Sequence, residues 1–230
     1  MTTPVLHGVT AGLFDELPEP DAGADIRLAL GPGARVLRGL ARADAPALLV
    51  ALPALLAASP WRHLVTPGGQ RMSVAMTNCG PLGWVSDRRG YRYTALDPLH
   101  GAPWPAMPAV FIALAERAAA TAGFNGFAPD ACLINRYAPG TRLSLHQDRD
   151  EQDMRQPIVS VSLGLPAVFL FGGLARSDKP QRVALQHGDV VVWGGASRLA
   201  FHGVMPVADG VHPATGDCRI NLTFRRAAAE

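Results

Sequence analysis

Residues 131–151 read ACLINRYAPGTRLSLHQDRDE and residues 219–225 read RINLTFR. In the second stretch Arg219, Asn221, Thr223 and Arg225 alternate onto one face while Ile220, Leu222 and Phe224 take the other, the period of two that marks a strand. The first repeats the pattern, because Leu133, Asn135 and Tyr137 share a face before a Pro-Gly turn leads into LSLH. The polar and apolar sides separate in residues 219–225, whereas the named face of residues 131–137 carries one apolar contact with an amide and a phenol that can donate to an anion. Further out, residues 157–163, 168–171 and 189–193 are short β-branched or aromatic runs separated by Gly, Pro and Asp. Such spacing suits a sandwich, barrel or jelly roll, and no internal repeat points to a solenoid or propeller.

An Ala-rich stretch ahead of these strands predicts a helix. Pro108 suits its first turn, Val110, Ile112, Leu114 and Arg117 run along it, and Gly123 can close it. Asp44 can cap an earlier helix with Pro46 in its early turn, and Pro53 should kink or end that helix by removing an amide. Residues 15–33 are rich in Pro, Gly and acids with little apolar content to repay ordering, so residues 1–32 are expected to form a flexible arm. Residues 33–230 then form a single domain, a common size for a β-rich unit.

Composition narrows the function classes. The 24 Gly and 20 Pro exceed what a helical bundle tolerates. Lys plus Arg (21) nearly balances Asp plus Glu (19), so a polyanionic partner would have to be met by a local patch. Cys79, Cys132 and Cys218 lack any CxxC spacing, which supports neither a disulfide framework nor a zinc ribbon and favours a reducing cytoplasm. The N-terminus shows no basic region leading into an apolar core, and residues 45–59, the longest uncharged apolar run, are too few to span a bilayer. A soluble protein is expected.

His146 and Asp148 are two apart, so on an extended segment an imidazole and a carboxylate project from one face and can share a cation. His202 can supply a third ligand. Two histidines and a carboxylate leave three coordination positions open, the arrangement of non-haem Fe(II) oxygenases, whereas a structural zinc site closes with four ligands. HxD is a short pattern that also arises by accident, and the ordinary reading, in which a lone histidine is a surface or satisfied core residue, stays open at this point. His7, His63, His100, His187 and His212 take that ordinary reading. Arg219 and Arg225 on one face call for an anion such as a dicarboxylate, or else line a solvated sheet face. In residues 83–93, GWVSDRRGYRY, Trp84, Tyr91 and Tyr93 interleave with Arg88, Arg89 and Arg92, the composition of a surface that stacks bases, and equally that of an ordinary hairpin.

Taken in order, TPGGQRMSVAMTNCGPLGW, Tyr91, PWPAMP, PDACLINRYAPGTRLSLHQDRDE, PIVSVSLGLPAVFLFGG, HGDVVVWGG, SRLAFHGV and DCRINLTFR resemble the AlkB family of Fe(II)- and 2-oxoglutarate-dependent nucleic-acid dealkylating dioxygenases, and its bacterial members most closely. The match runs from about residue 33 to residue 226. The resemblance implies a mainly β fold with flanking helices, a double-stranded β-helix (jelly-roll) core over about residues 130–226, and a substrate-binding lid over about residues 60–95. It places Fe(II) on His146, Asp148 and His202, and 2-oxoglutarate on Asn135, Tyr137, Arg219, Asn221 and Arg225. Around the substrate base it places Thr66, Met76, Trp84, Tyr91, Asp150 and Arg176. The implied reaction uses O2 and couples decarboxylation of 2-oxoglutarate to hydroxylation of the alkyl group, releasing formaldehyde from 1-methyladenine, 3-methylcytosine and related adducts. The implied partner is single-stranded or locally unpaired DNA, with RNA a further candidate. A monomer without an obligate protein partner or membrane contact, in a bacterial cytoplasm, is the expected state. The competing readings are a dioxygenase acting on RNA, protein or a metabolite, a binding module without chemistry, and a metal-dependent hydrolase.

Overall fold

The computed structural model describes residues 27–229. Its elements in chain order are β1 (Arg27–Gly31), β2 (Ala34–Leu37), α1 (Ala45–Ala58), β3 (Ala75–Cys79), β4 (Gly83–Asp87), β5 (Gly90–Thr94), α2 (Ala109–Thr121), β6 (Ala131–Tyr137), β7 (Leu143–His146), β8 (Ile158–Gly164), β9 (Ala167–Phe171), β10 (Gln181–Leu185), β11 (Val190–Trp193), β12 (His202–Val204) and β13 (Arg219–Arg225). A seven-stranded sheet has the order β1-β2-β11-β8-β13-β6-β3, a four-stranded sheet the order β10-β9-β12-β7, and β4 and β5 form a separate hairpin. The two larger sheets make the jelly roll.

The central strands of the large sheet, β11, β8 and β13, are buried on both faces because both are covered. On β11, Val190 and Val192 join the core beneath the helices while Val191 and Trp193 join the core between the sheets. On β13, Ile220, Leu222 and Phe224 meet the helices, and Phe224 packs edge-on against Phe111 of α2 at 6.0 Å. The alternation in RINLTFR therefore has its cause: one face repays burial hydrophobically, and the other is reserved for polar groups. β6 follows suit, pairing with β13 so that Tyr137 stands opposite Arg219 and Asn135 opposite Asn221.

Three features differ from the sequence expectation. α1 runs through Pro53 rather than ending there, because Pro53 lies on the exposed side, where water can serve the Leu49 carbonyl that loses its helical donor. Asp44 stands at the N-cap position but makes no side-chain cap and pairs with Arg117 of α2 instead. β1 reaches back to Arg27, inside the expected arm of residues 1–32, since pairing with β2 repays its order. Residues 1–26 of that arm lie outside the described residues. Cys79, Cys132 and Cys218 are free and buried, and no helix among the described residues is long and apolar enough to cross a membrane.

His187 and His212, read from sequence as ordinary surface or satisfied core residues, stack on each other with ring centroids 4.6 Å apart. The His187 Nδ1 accepts the Gly164 amide, so that nitrogen must stay unprotonated. Burial first, then the neighbouring His212 and Arg42, pushes the His187 imidazole below its ordinary value of 6.5. The unfolded chain therefore takes up a proton that the folded chain resists. Stability from this site is complete above the unfolded value and is lost as pH falls from 6.5 through the lowered folded value. In chemical unfolding followed against pH, His187→Gln is expected to show a shallower acid-side loss than the parent chain. Parallel curves would reject the assignment.

Candidate active site

β12 lies between β9 and β7, and its register with β7 sets His202 directly opposite His146. The close approach depends on Gly203, where a Cβ would meet the Leu143 carbonyl oxygen at 2.7 Å. The two imidazoles stand 4.3 Å apart between centroids. Asp148, just beyond β7, brings its carboxylate to 3.6 Å from His146 Nε2 and 3.9 Å from His202 Nε2. One ligand atom from each of the three lies within 4.8 Å of the others.

Hydrogen bonding on the far side of each ring selects the tautomer. His146 Nδ1 is 2.9 Å from the Ser144 carbonyl and His202 Nδ1 is 3.1 Å from the Ala200 carbonyl. A carbonyl only accepts, so each Nδ1 carries the hydrogen and donates, which leaves Nε2 as the ring nitrogen facing Asp148 and able to ligate. Burial, reinforced by His146, pushes His202 down to about 3, so it is neutral in any physiological buffer. Burial alone would raise the Asp148 carboxyl, but Arg225, His202 and His146 overcome it and hold it well below the ordinary range. Two imidazole lone pairs and a carboxylate on one side of an open space fit a divalent iron.

The residues that the resemblance assigns to 2-oxoglutarate sit on β6 and β13 of the large sheet. Arg219 is 1% exposed, with its guanidinium 5.0 Å above the Tyr137 ring; it donates from Nη2 to Ser162 Oγ at 3.0 Å, but Nε and Nη1 have no partner. Asn135 Oδ1 is also without a partner. A buried guanidinium with two idle donors is costly unless an anion completes it, which fits one carboxylate of a dicarboxylate cosubstrate. Arg225 differs. It donates through Nε and Nη2 to Asp148 Oδ2 at 2.9 and 2.5 Å, and its Nε lies 3.3 Å from Glu151 Oε1. Asn221 is occupied as well, donating to Ser160 Oγ and to the Val161 carbonyl, both at 2.9 Å, and accepting from Thr223 Oγ1 at 2.8 Å.

The residues that the resemblance assigns to iron, cosubstrate and base all line one cavity of about 820 Å³. At its rim Trp84 stacks on Tyr91 at 5.5 Å and 12°, and the Trp84 indole N–H donates to Asp150 Oδ2 at 2.8 Å. Thr66 Oγ1 accepts the Gln70 amide, Met76 is buried in the wall, and Arg176 donates to the Leu145 carbonyl at 2.9 Å. Sequence reasoning passed over Glu151 and Arg198, and read Tyr93 only as one of the aromatics of the 83–93 stretch. Tyr93 donates to Glu151 Oε1 at 2.6 Å, and Arg198 donates to Glu151 Oε2 at 2.9 Å. The acid run DRDE hinted at Glu151, but nothing local tells a buried acid from a solvated one.

Residues 33–225 match the model of the 2OG-Fe(II) oxygenase superfamily. The chain is 61% identical over 199 residues to the alpha-ketoglutarate-dependent dioxygenase AlkB of Salmonella typhimurium and 60% identical over 198 residues to that of Escherichia coli, in each case spanning 86% of this chain and 92% of the relative. The solved structure of OsALKBH1 superposes with a TM-score of 0.77 at 30% identity, covering 87% of this chain and 99% of that one. The geometry and the comparisons agree: the chain belongs to the 2OG-Fe(II) oxygenase superfamily and, within it, to the AlkB family of dioxygenases.

Proposed function

We propose that this dioxygenase removes alkyl groups oxidatively from damaged bases of single-stranded or unpaired DNA, with RNA as a second substrate. One observation carries the reading. Two imidazole lone pairs and the Asp148 carboxylate share a cavity with a buried, half-used guanidinium at Arg219, and the rim of that cavity is aromatic. Iron is assigned to His146, Asp148 and His202. Arg219 receives a carboxylate of 2-oxoglutarate, with Asn135, Tyr137, Asn221 and Arg225 around it. When bound, iron and 2-oxoglutarate together supply oxidation of a C–H bond by O2. The protein's own part is to hold both, to exclude water from the apolar wall around Phe169 and Trp193, and to present the base.

The alkylated atom of 1-methyladenine or 3-methylcytosine lies on the pairing edge, so the base must leave its stack to be reached. Trp84 and Tyr91 offer a face for it, and Thr66, Met76 and Arg176 line its approach. We assign residues 60–95 to the lid and 130–226 to the catalytic core of one domain. A monomer is proposed, in the cytoplasm, the compartment that three free buried thiols favour. Succinate and formaldehyde release from a methylated oligonucleotide, requiring Fe(II) and 2-oxoglutarate together, tests the function. Equal release with methylated tRNA extends it to RNA, and release with a peptide or metabolite alone rejects it.

Both lesions are cations near neutral pH, while ordinary bases are not. A cation over the Trp84 indole gains about 0.5 to 2 kcal/mol. Asp150, which accepts from that same indole, is placed to oppose the charge. Asp150→Ala is expected to lower kcat/KM for these cationic lesions about threefold more than for neutral 1-methylguanine or 3-methylthymine in matched strands. Equal losses would leave Asp150 as a hydrogen-bond partner of Trp84 and nothing more.

A further inference from the structure

Trp84 and Tyr93 are register partners across the β4–β5 hairpin, and they donate to two consecutive acids, Asp150 and Glu151. The two bonds differ in surroundings. The Trp84–Asp150 bond is exposed, whereas the Glu151 side chain is 2% exposed and the Arg198 side chain that pairs with it is 3% exposed. Arg198 uses its whole fork on one segment: Nη2 to Glu151 Oε2 at 2.9 Å, Nη1 to the Asp148 carbonyl at 2.7 Å, and Nε to the Gln156 carbonyl at 2.9 Å. Glu151 also neighbours Arg225, which holds the Asp148 carboxylate. A buried pair of this kind is often no better for stability than apolar residues of the same volume, so its presence here points to a positional role.

We propose that Tyr93, Glu151 and Arg198 are positioning residues that tie the β4–β5 hairpin to the segment bearing the ligand Asp148. Arg198 fixes the backbone at Asp148 through its carbonyl, Glu151 anchors that arginine, and Tyr93 fastens the hairpin to the same carboxylate. The exposed bond from Trp84 to Asp150 is then free to be exchanged for contacts with a base, while the buried one keeps the hairpin in place over the cavity. The inference rests on the nucleic-acid reading above only for what the hairpin closes over.

The test is backbone amide exchange on the full-length protein, with and without Mn(II) and 2-oxoglutarate, in the absence of nucleic acid. Tyr93→Phe removes one oxygen and leaves Glu151 its pairing with Arg198. A hydrogen bond to a charged group is worth enough that exchange in β4 and β5 should rise about tenfold or more, while β8 and β13 stay unchanged. In turnover, KM for a methylated oligonucleotide should rise several-fold, with kcat and the KM for 2-oxoglutarate held within about twofold. Arg198→Lys, which keeps the charge and loses the fork, should leave hairpin exchange near the parent level but weaken Mn(II) binding. Unchanged exchange in the hairpin of Tyr93→Phe overturns the proposal, as does a rise spread equally over β8 and β13, which marks a purely structural bond. Failure of the parent protein to oxidise methylated strands would sink the functional reading and leave the exchange result standing.

Discussion

His202→Ala should lower oxidation of a methylated strand about a thousandfold or more while the jelly roll persists, because the metal contributes several kcal/mol and the site has no spare protein ligand. The imidazole sits between Trp193, at 4.8 Å, and Phe169, at 6.1 Å, so its removal leaves a void but strands no charge. Asp148→Ala is the harsher change. It would leave Arg225 buried without its main partner, at a cost of about 3 to 5 kcal/mol, and confuse loss of metal with loss of fold. Asp148→Asn keeps the shape and is the better companion. Mn(II) binding, followed by paramagnetic resonance or calorimetry, should be lost in His202→Ala, with far-ultraviolet dichroism unchanged. Retained Mn(II) affinity together with turnover would remove His202 from the ligand set.

How much of this was legible in the sequence depends on whether the physics was local. The alternation in RINLTFR and ACLINRY is a local consequence of a pleated strand between a core and a cavity, and both strands appear at Arg219–Arg225 and Ala131–Tyr137. Helix α2 carried its own start and stop at Pro108 and Gly123. By contrast β12 has only three residues, one of them Gly203, and its order comes from β7 and β9 on either side. The strand β10 likewise exists by pairing with β9, and β1 by pairing with β2. None of these pairings leaves a pattern in the strand's own residues.

The site divides the same way. The spacing in His146-x-Asp148 displays its geometry within three residues, but the bond that selects each tautomer is to a backbone carbonyl whose position only the fold decides. Glu151 and Arg198 lie 47 residues apart, and Tyr93 lies 58 from Glu151. In sequence each is an ordinary polar residue. Only burial converts the three into a connected group, and burial is a property of the assembled sheets. The two arginines of β13 show the limit most sharply, because the sequence treats them alike and the structure does not. Arg225 is engaged by Asp148 and Glu151, while Arg219 holds two donors in reserve.

That difference makes Arg219 the sharper probe of cosubstrate binding. Burial lowers the Arg219 guanidinium below its ordinary value, an effect that Tyr137 only partly offsets, yet an arginine stays charged throughout the physiological range. A buried cation with idle Nε and Nη1 carries a desolvation penalty, which a carboxylate bound there would relieve while gaining paired, charge-assisted bonds. Arg219→Lys keeps the charge but cannot present a planar fork, so the KM for 2-oxoglutarate should rise about ten- to a hundredfold with a smaller change in kcat. Arg219→Met goes further: it removes the unpaired charge, so the cosubstrate-free chain should melt no lower than the parent. Added 2-oxoglutarate with Mn(II) should then raise Tm in the parent and not in the variant, since a ligand stabilises only the fold that binds it. Arg225→Lys, acting through Asp148, should weaken Mn(II) binding as well, which separates the two roles. If Arg219→Met keeps the full 2-oxoglutarate-dependent rise in Tm, the anion is held elsewhere in the cavity and Arg219 is a structural cation packed on Tyr137.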